Sequence, residues 1–347
     1  MQQIKTALCS FGMSGRVFHA PFIHKNPGFE LYAVTERTKN LAAEKYPNIK
    51  TFRSVQDMLA DETIELVIVN TPINTHYQFA KLALLAGKHV VVEKAFTTTV
   101  AEAAELIALA EKQNKKLSVY QNRRWDSDFK TVKKIVQQNL LGNIVEAEIH
   151  FDRYNENLSS KLHKETPGPG AGIIPDLCPH LIDQALQLFG MPHAVFADAA
   201  MLRPLSKVED YVEMILFYKN LRVRLKAGYL VREILPAYII NGSKGSFIKP
   251  RADVQETDLQ NEKDVSSPDW GTEPVTAKGL LHTGIDGKII REYVDSEKGN
   301  YMDFYDGIYA AIRNGKPLPV TAQEGLNVIS IIEAAFKSIE KKKLYSI

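Results

Sequence analysis

The chain reads as α/β: an N-terminal doubly wound parallel sheet, then an α+β domain built on one large, open, mainly antiparallel sheet. Three observations point there. From residue 4 to residue 120 short apolar runs alternate with helical patterns, the rhythm of parallel strands joined by crossover helices. From residue 144 the strands change character. Val145, Ala147, Ile149 and Phe151 alternate with Glu146, Glu148, His150 and Asp152, as a half-buried strand of an antiparallel or mixed sheet requires. At 347 residues the chain is long for a single core, so two domains are expected, 1–121 and 122–347.

The first element is the apolar run from Ile4 to Cys9. It enters Ser10-Phe11-Gly12-Met13-Ser14-Gly15, and Arg16 to Ala20 follows as expected helix. Strand, tight glycine turn and helix in that order are the setting of a dinucleotide site. Backbone N–H groups at the helix start face a pyrophosphate there, and the helix dipole favours its charge. Gly12 gives close backbone approach and Gly15 lets the helix pack on the strand. Ser10 occupies the first position of G-x-G-x-x-G, so two of the three glycines are present. Ser10, Gly12, Met13, Ser14 and Gly15 form the core of the expected cofactor site.

The second strand, 29–35, ends in Glu36-Arg37. Glu36 follows Gly15 by about 20 residues, where such folds place an acid on the adenosine ribose. The acid favours NAD. A guanidinium at Arg37 suits either a 2′-phosphate or an adenine face, which leaves NADP open. Next come a short helix at 41–46, a short strand at 50–52, a helical turn at 55–60 and a buried strand at 64–69. Asn70-Thr71-Pro72-Ile73-Asn74-Thr75-His76 interrupts, and a helix over 77–86 stops at Gly87. The strand 88–92 closes on Glu93-Lys94. Thr99 and Glu102 stand as a capping box before the helix 99–114, and 116–120 is the last strand of the alternation. In parallel sheets ligands bind beyond the carboxyl ends of the strands. Thr71, Pro72, Asn74, His76 and Glu93 therefore join the cofactor set, and Lys94 falls on the rim of the cleft.

The remainder opens with an amphipathic helix over 125–140. Strands follow at 144–154, 194–202, 211–218, 221–230, 237–241 and 246–248, with helices at 176–189, 301–313 and 322–341. Residues 253–288 are polar and rich in Pro, Gly and Asp, and are expected as a long excursion with little regular structure. Helices on one face of a sheet leave the other to be covered, so a homodimer or homotetramer through the C-terminal sheet is expected. A net charge of +2 builds in no large attraction to nucleic acid or membrane. No apolar run reaches membrane-spanning length, and the N-terminus lacks the basic segment of a secretory signal. Cys9 and Cys178 are the only cysteines, which suits a reducing, cytoplasmic setting, and no Cys/His group has zinc spacing, so no metal is expected.

A second glycine-rich stretch, Pro167 to Gly172, leads into Asp176-Leu177-Cys178-Pro179-His180-Leu181-Ile182-Asp183. On a helix Asp176 and His180 share a face, and Asp183 follows three residues on. A carboxylate beside an imidazole fixes its tautomer and raises its basicity, which serves a proton shuttle. Across essentially its whole length the chain resembles the glucose-fructose oxidoreductase / inositol dehydrogenase (Gfo/Idh/MocA) family of NAD(P)-dependent dehydrogenases. The resemblance rests on the glycine turn, Thr71-Pro72 with His76, Gly87-Lys88-His89-Val90 running into Glu93-Lys94, and the Asp176…His180…Asp183 segment. Phe18-His19-Ala20-Pro21, Asn122-Arg123-Arg124-Trp125-Asp126, Leu188-Phe189-Gly190 and Asp269-Trp270-Gly271 bring it nearest to the NADP-dependent scyllo-inositol dehydrogenases.

The resemblance implies oxidation of a secondary alcohol of a cyclic polyol or sugar. It assigns catalysis to Lys94, Asp176 and His180: His180 takes the hydroxyl proton, Lys94 stabilises the oxygen, and Asp176 orients the site. It places Arg123, Trp125 and Asp183 at the substrate. Three departures stand out: Ser10, Glu36 where the NADP-using relatives have a small polar residue, and Ala95 in place of the family's proline. The last removes a rigid residue suited to a cis bond. Two alternatives are an NAD-dependent glycosidase and a non-catalytic dinucleotide or sugar sensor.

Overall fold

The computed structural model describes residues 2–347. They form two compact units. The first gathers the chain up to Asn122 together with Gln255–Trp270 and Asn300–Leu326; the second holds Arg123–Val254, Gly271–Gly299 and Asn327–Ile347.

The first unit is built on six parallel strands: β1 (Ile4–Leu8), β2 (Phe29–Thr35), β3 (Lys50–Phe52), β4 (Leu66–Val69), β5 (His89–Glu93) and β6 (Leu117–Tyr120). Their order is β3-β2-β1-β4-β5-β6. The chain direction through the sheet reverses between β1 and β4, the switch point beside which such sheets bind ligands. Every residue of β4 and β6 is buried, as expected of strands covered on both faces. The crossover helices are α1 (Ala20–Lys25), α2 (Leu41–Lys45), α3 (Val55–Leu59), α4 (His76–Leu85) and α5 (Val100–Lys112). The α-helix expected from Arg16 is preceded by a wider π-turn over Ser14–His19, and α1 starts only at Ala20 with Pro21 near its N-terminus, where a missing N–H does no harm. The expected capping box is shifted. Glu102 N donates to Thr99 Oγ1 at 3.2 Å, but the Glu102 carboxylate accepts from the N–H and hydroxyl of Thr98, one residue earlier.

The late helix Met302–Arg313 belongs to this unit and closes an aromatic core. Tyr305 stacks on Phe22 with centroids 5.8 Å apart, and Tyr120 packs edge-on against Phe304.

The second unit contains α6 (Ser127–Gln137), α7 (Leu162–Glu165) and α8 (Ile173–Phe189). Its nine strands are β7 (Ile144–Asp152), β8 (Ala194–Ala200), β9 (Tyr211–Phe217), β10 (Arg222–Gly228), β11 (Tyr238–Gly242), β12 (Gly245–Lys249), β13 (Gly279–Ile285), β14 (Lys288–Val294) and β15 (Tyr345–Ser346). They run in the order β14-β13-β12-β11-β7-β10-β9-β8-β15. The β7–β10 pair is parallel and the other pairs are antiparallel. Helix α8 packs on β7, β9 and β10. The alternating residues Ala147, Ile149, Val212, Met214, Leu216, Val223 and Leu225 are all buried. The opposite face of the sheet is charged. Arg224 bonds Glu148 at 2.7 Å and Glu213 at 2.9 Å.

One expectation is corrected. Residues 253–288 are not an irregular excursion: they include a helix at Gln255–Gln260, all of β13 and the start of β14. The signal was present. Asp286 and Gly287 both have positive φ, 49° and 77°, the backbone of a two-residue Asp-Gly hairpin turn.

Candidate active site

In the first unit the glycine turn is clamped to the end of β4. Ser10 N donates to Asn70 Oδ1 at 3.0 Å, Ser10 Oγ to Asn70 O at 2.9 Å, and Asn70 Nδ2 returns a bond to Ser10 O at 2.9 Å. The serine in the first glycine position thus ties two ligand-side loops together. Asn70 was missed in the sequence because its role is visible only once β1 and β4 are neighbours. The two glycines have different reasons. A Cβ on Gly15 would stand 2.3 Å from Ser10 O and 2.8 Å from Asn70 Nδ2, so a side chain is excluded there. At Gly12 the nearest atom lies 4.0 Å away: the protein leaves that space open to a ligand.

That space belongs to a cavity of about 750 Å³. Ser10, Gly12, Met13, Thr71 and Pro72 line it at one end, Glu36 and Arg37 at the other. Open backbone at Gly12, a helix start beyond it and a cavity running on to the end of β2 fit a dinucleotide. Asn74 is exposed on the 3₁₀ turn Ile73–Thr75 and is not among the cavity-lining residues. His76 is buried, its ring nitrogens 2.8 Å from the carbonyl oxygens of Ala95 and Thr71. Burial pushes its pKa down, opposed by those two carbonyls. It holds the 71–76 turn against the loop after β5.

Glu36 also has protein partners. Its carboxylate accepts from Leu41 N at 3.1 Å and Ala42 N at 3.0 Å, satisfying the first turn of α2.

The end of β5 is joined to the glycine turn. Ser14 Oγ donates to Glu93 Oε1 at 2.5 Å, His19 Nε2 lies 3.0 Å from the same oxygen, and Lys94 N donates to Glu93 Oε2 at 3.0 Å. His19 continues the chain to Tyr305 Oη at 2.7 Å. Burial alone would raise the Glu93 pKa, yet the bond and charge of His19, Ser14 and the Lys94 charge hold it at about 2. Glu93 is therefore an ionised anchor for the Lys94 turn. His19, whose role the sequence did not disclose, is part of that anchor. The Lys94–Ala95 peptide is cis.

In the second unit α8 begins at Gly172 (φ 87°), where a Cβ would meet the Glu209 carboxylate at 2.5 Å. The helix presents Asp176 and His180 one turn apart, with His180 buried and its ring 6.3 Å from that of Phe151. Asp176 accepts from Lys164 Nζ at 2.7 Å, a partner not foreseen. Arg123 lies on the 3₁₀ turn Asn122–Trp125, its guanidinium 5.1 Å from the Phe151 centroid and 3.2 Å from Asp126. Phe151 therefore neighbours both His180 and Arg123. Trp125 ends the same turn and is half-buried. Asp183 is buried in a two-pronged bond from Arg124, at 2.8 and 2.7 Å; that fork fixes its orientation. Among the described residues no group of three or more His, Cys, Asp or Glu is placed to hold a metal ion.

Comparison with known proteins gives the family. Residues 4–121 match the oxidoreductase family's NAD-binding Rossmann fold, and residues 133–347 match its C-terminal alpha/beta domain. The chain is an NAD(P)-binding oxidoreductase of the Gfo/Idh/MocA family. As a member it is a dehydrogenase acting on CH–OH groups. It is 40% identical over 98% of both chains to an uncharacterized oxidoreductase of Schizosaccharomyces pombe. It is 37% identical to the scyllo-inositol 2-dehydrogenase (NADP(+)) IolW of Bacillus subtilis, over 98% of this chain and 95% of that one. A crystal structure from Bacteroides fragilis, 48% identical, covers both chains completely with a TM-score of 0.91.

Proposed function

We propose that this dehydrogenase oxidises a secondary alcohol of an inositol-like cyclic polyol or sugar, with Lys94, Asp176 and His180 as its catalytic residues. The observation that carries the reading is His180. It is an imidazole on a buried helix face, one turn from Asp176 and beside Phe151, whose ring Arg123 also faces, in a chain similar end to end to a scyllo-inositol dehydrogenase. Ser10, Gly12, Met13, Ser14, Gly15, Thr71 and Pro72 hold the dinucleotide, which supplies the two-electron acceptor when bound.

The chain's own residues supply the rest. His180 takes the hydroxyl proton as the adjacent C–H bond breaks. Lys94 donates a hydrogen bond to the alcohol oxygen as negative charge grows on it. Asp176, held by Lys164, orients the site. Arg123 and Trp125 recognise hydroxyl groups, and Asp183, expected at the substrate, instead orients Arg124 through its two-pronged bond. A site built to bond several hydroxyls rejects an analogue that lacks one, because its polar groups are then left unpaired. The free cysteines Cys9 and Cys178, both buried, support a cytoplasmic setting, and the charged open face of the large sheet supports homo-oligomers.

The test is absorbance at 340 nm with myo-inositol, scyllo-inositol, glucose and xylose, each with NAD and with NADP. A rise in a cyclitol or sugar well is expected. Release of a free sugar from a glycoside without accumulation of reduced cofactor would favour the glycosidase alternative and sink this reading.

A further inference from the structure

β7 ends at Asp152, and Arg153 N continues its ladder by donating to Gly228 O at 2.9 Å. Strand alternation puts Arg153 on the face of Phe151, the face that meets His180 of α8. Glu148 and Asp152 lie on the other face, where they flank His150. Three guanidinium groups stand over the Phe151 ring: Arg251 at 4.4 Å from its centroid, Arg153 at 4.8 Å and Arg123 at 5.1 Å. Two of them are engaged. Arg123 bonds Asp126 at 3.2 Å, and Arg251 donates to His150 O at 2.9 Å with Asp126 3.9 Å away. Arg153 is half-buried, yet among the described residues its guanidinium makes no hydrogen bond and no ion pair. A partly desolvated cation beside two others is unfavourable, and a ring face offsets only part of that cost.

Arg153 also lines a cavity of about 140 Å³ that reaches Asp176. The other charges around it are matched. Lys164 bonds Asp176 at 2.7 Å, and Arg203 bonds Glu165 and Asp210, each at 3.0 Å. Glu209 is the remaining acid there, and burial pushes its carboxyl up, toward the neutral form. Among the described residues Arg153 is thus the cation of this cavity left without an ion pair. The space suits a substituent of the size of a carboxylate or phosphate, not a whole sugar ring.

We propose that the substrate is an acidic polyol or sugar, and that Arg153 binds its carboxylate or phosphate while the hydroxyl to be oxidised lies at His180. The proposal rests on the reading of Asp176 and His180 as this dehydrogenase's substrate site. A guanidinium presents two parallel N–H donors to either anion. A neutral polyol leaves that cation unpaired and is therefore the poorer substrate.

The experiment compares kcat/KM from absorbance at 340 nm, with NAD and with NADP, for two matched pairs. These are D-glucuronate against D-glucose, and myo-inositol 1-phosphate against myo-inositol, on wild type, Arg153→Gln and Arg153→Lys. In at least one pair the acid is expected to exceed its neutral partner roughly tenfold or more, through a lower KM. A preference in the first pair identifies a carboxylate, and in the second a phosphate. Arg153→Gln should bring the ratio close to one. Arg153→Lys, which keeps the charge and loses the fork, should fall between. Neutral compounds oxidised as well as the acids, or better, overturn the proposal and leave the dehydrogenase reading intact. An acid preference that survives in Arg153→Gln also overturns it, because the anion then sits elsewhere. Oxidation of none of the four overturns both the proposal and the reading beneath it. Circular dichroism shows whether each variant folds, and the wild-type ratio decides where one does not.

Discussion

His180 is buried on α8, and a buried imidazole in contact with an aromatic ring is as readily a packing residue as a proton carrier. What separates the roles is the surrounding charge. Asp176 lies one turn away and is held by Lys164, and Arg123 reaches over the same Phe151 ring. A side chain used only for packing is replaced by an isosteric amide at a modest effect on turnover. A proton carrier is not, because the amide has no basic nitrogen. We therefore expect His180→Asn to lower kcat by roughly 100-fold to 10,000-fold, with the affinity for reduced dinucleotide unchanged. Steady-state kinetics beside cofactor titration checks this. A variant that retains wild-type kcat removes His180 from the chemistry.

At the scale of elements, the link between the glycine turn and the end of β5 decides how Lys94 is held. Glu93 accepts from Ser14 and Lys94 N and lies against His19, and its pKa is held at about 2. An acid depressed in the folded state stabilises the fold above its unfolded pKa. That contribution fades as pH falls from the ordinary carboxylate range through the folded value. Glu93→Gln should therefore cost on the order of 2–3 kcal/mol near neutral pH. The gap to wild type should close as pH drops from about 4.5 toward 2. Thermal melts of both proteins across that range measure the gap; a constant difference would mean that Glu93 is not an ionised anchor. The elements themselves were largely legible. Parallel strands announced themselves as apolar runs, and the glycine turn, Thr71-Pro72 and Lys94 sit at strand ends as expected. What was not legible is what the side chains do once strands become neighbours. The Ser10–Asn70 clamp joins residues 60 apart in sequence, His19 reaches Tyr305 across 286, and Glu36 serves a helix rather than standing open.

At the scale of the molecule, the return of 255–270 and 300–326 to the first unit had no local signal, since the pattern of a helix does not say which sheet it joins. The large sheet raises a sharper question. One face is buried under α8, while the other carries a row in register across four strands: Phe196 of β8 opposite Ile215 of β9, opposite Arg224 of β10, opposite Glu148 of β7. Phe196 is 38% exposed and Ile215 is half-buried beside ion pairs from Arg224 to Glu148 and Glu213. Half-exposed ion pairs of this kind add little to the stability of one chain. The proposed homo-oligomer would place this row between copies, with Phe196 and Ile215 as its apolar part. Phe196→Glu should then lower the mass measured by light scattering from dimer or tetramer toward monomer at micromolar concentration, with the far-ultraviolet circular dichroism unchanged. A wild-type protein already monomeric there, or a Phe196→Glu variant of unchanged mass, would show that this face is not where copies meet.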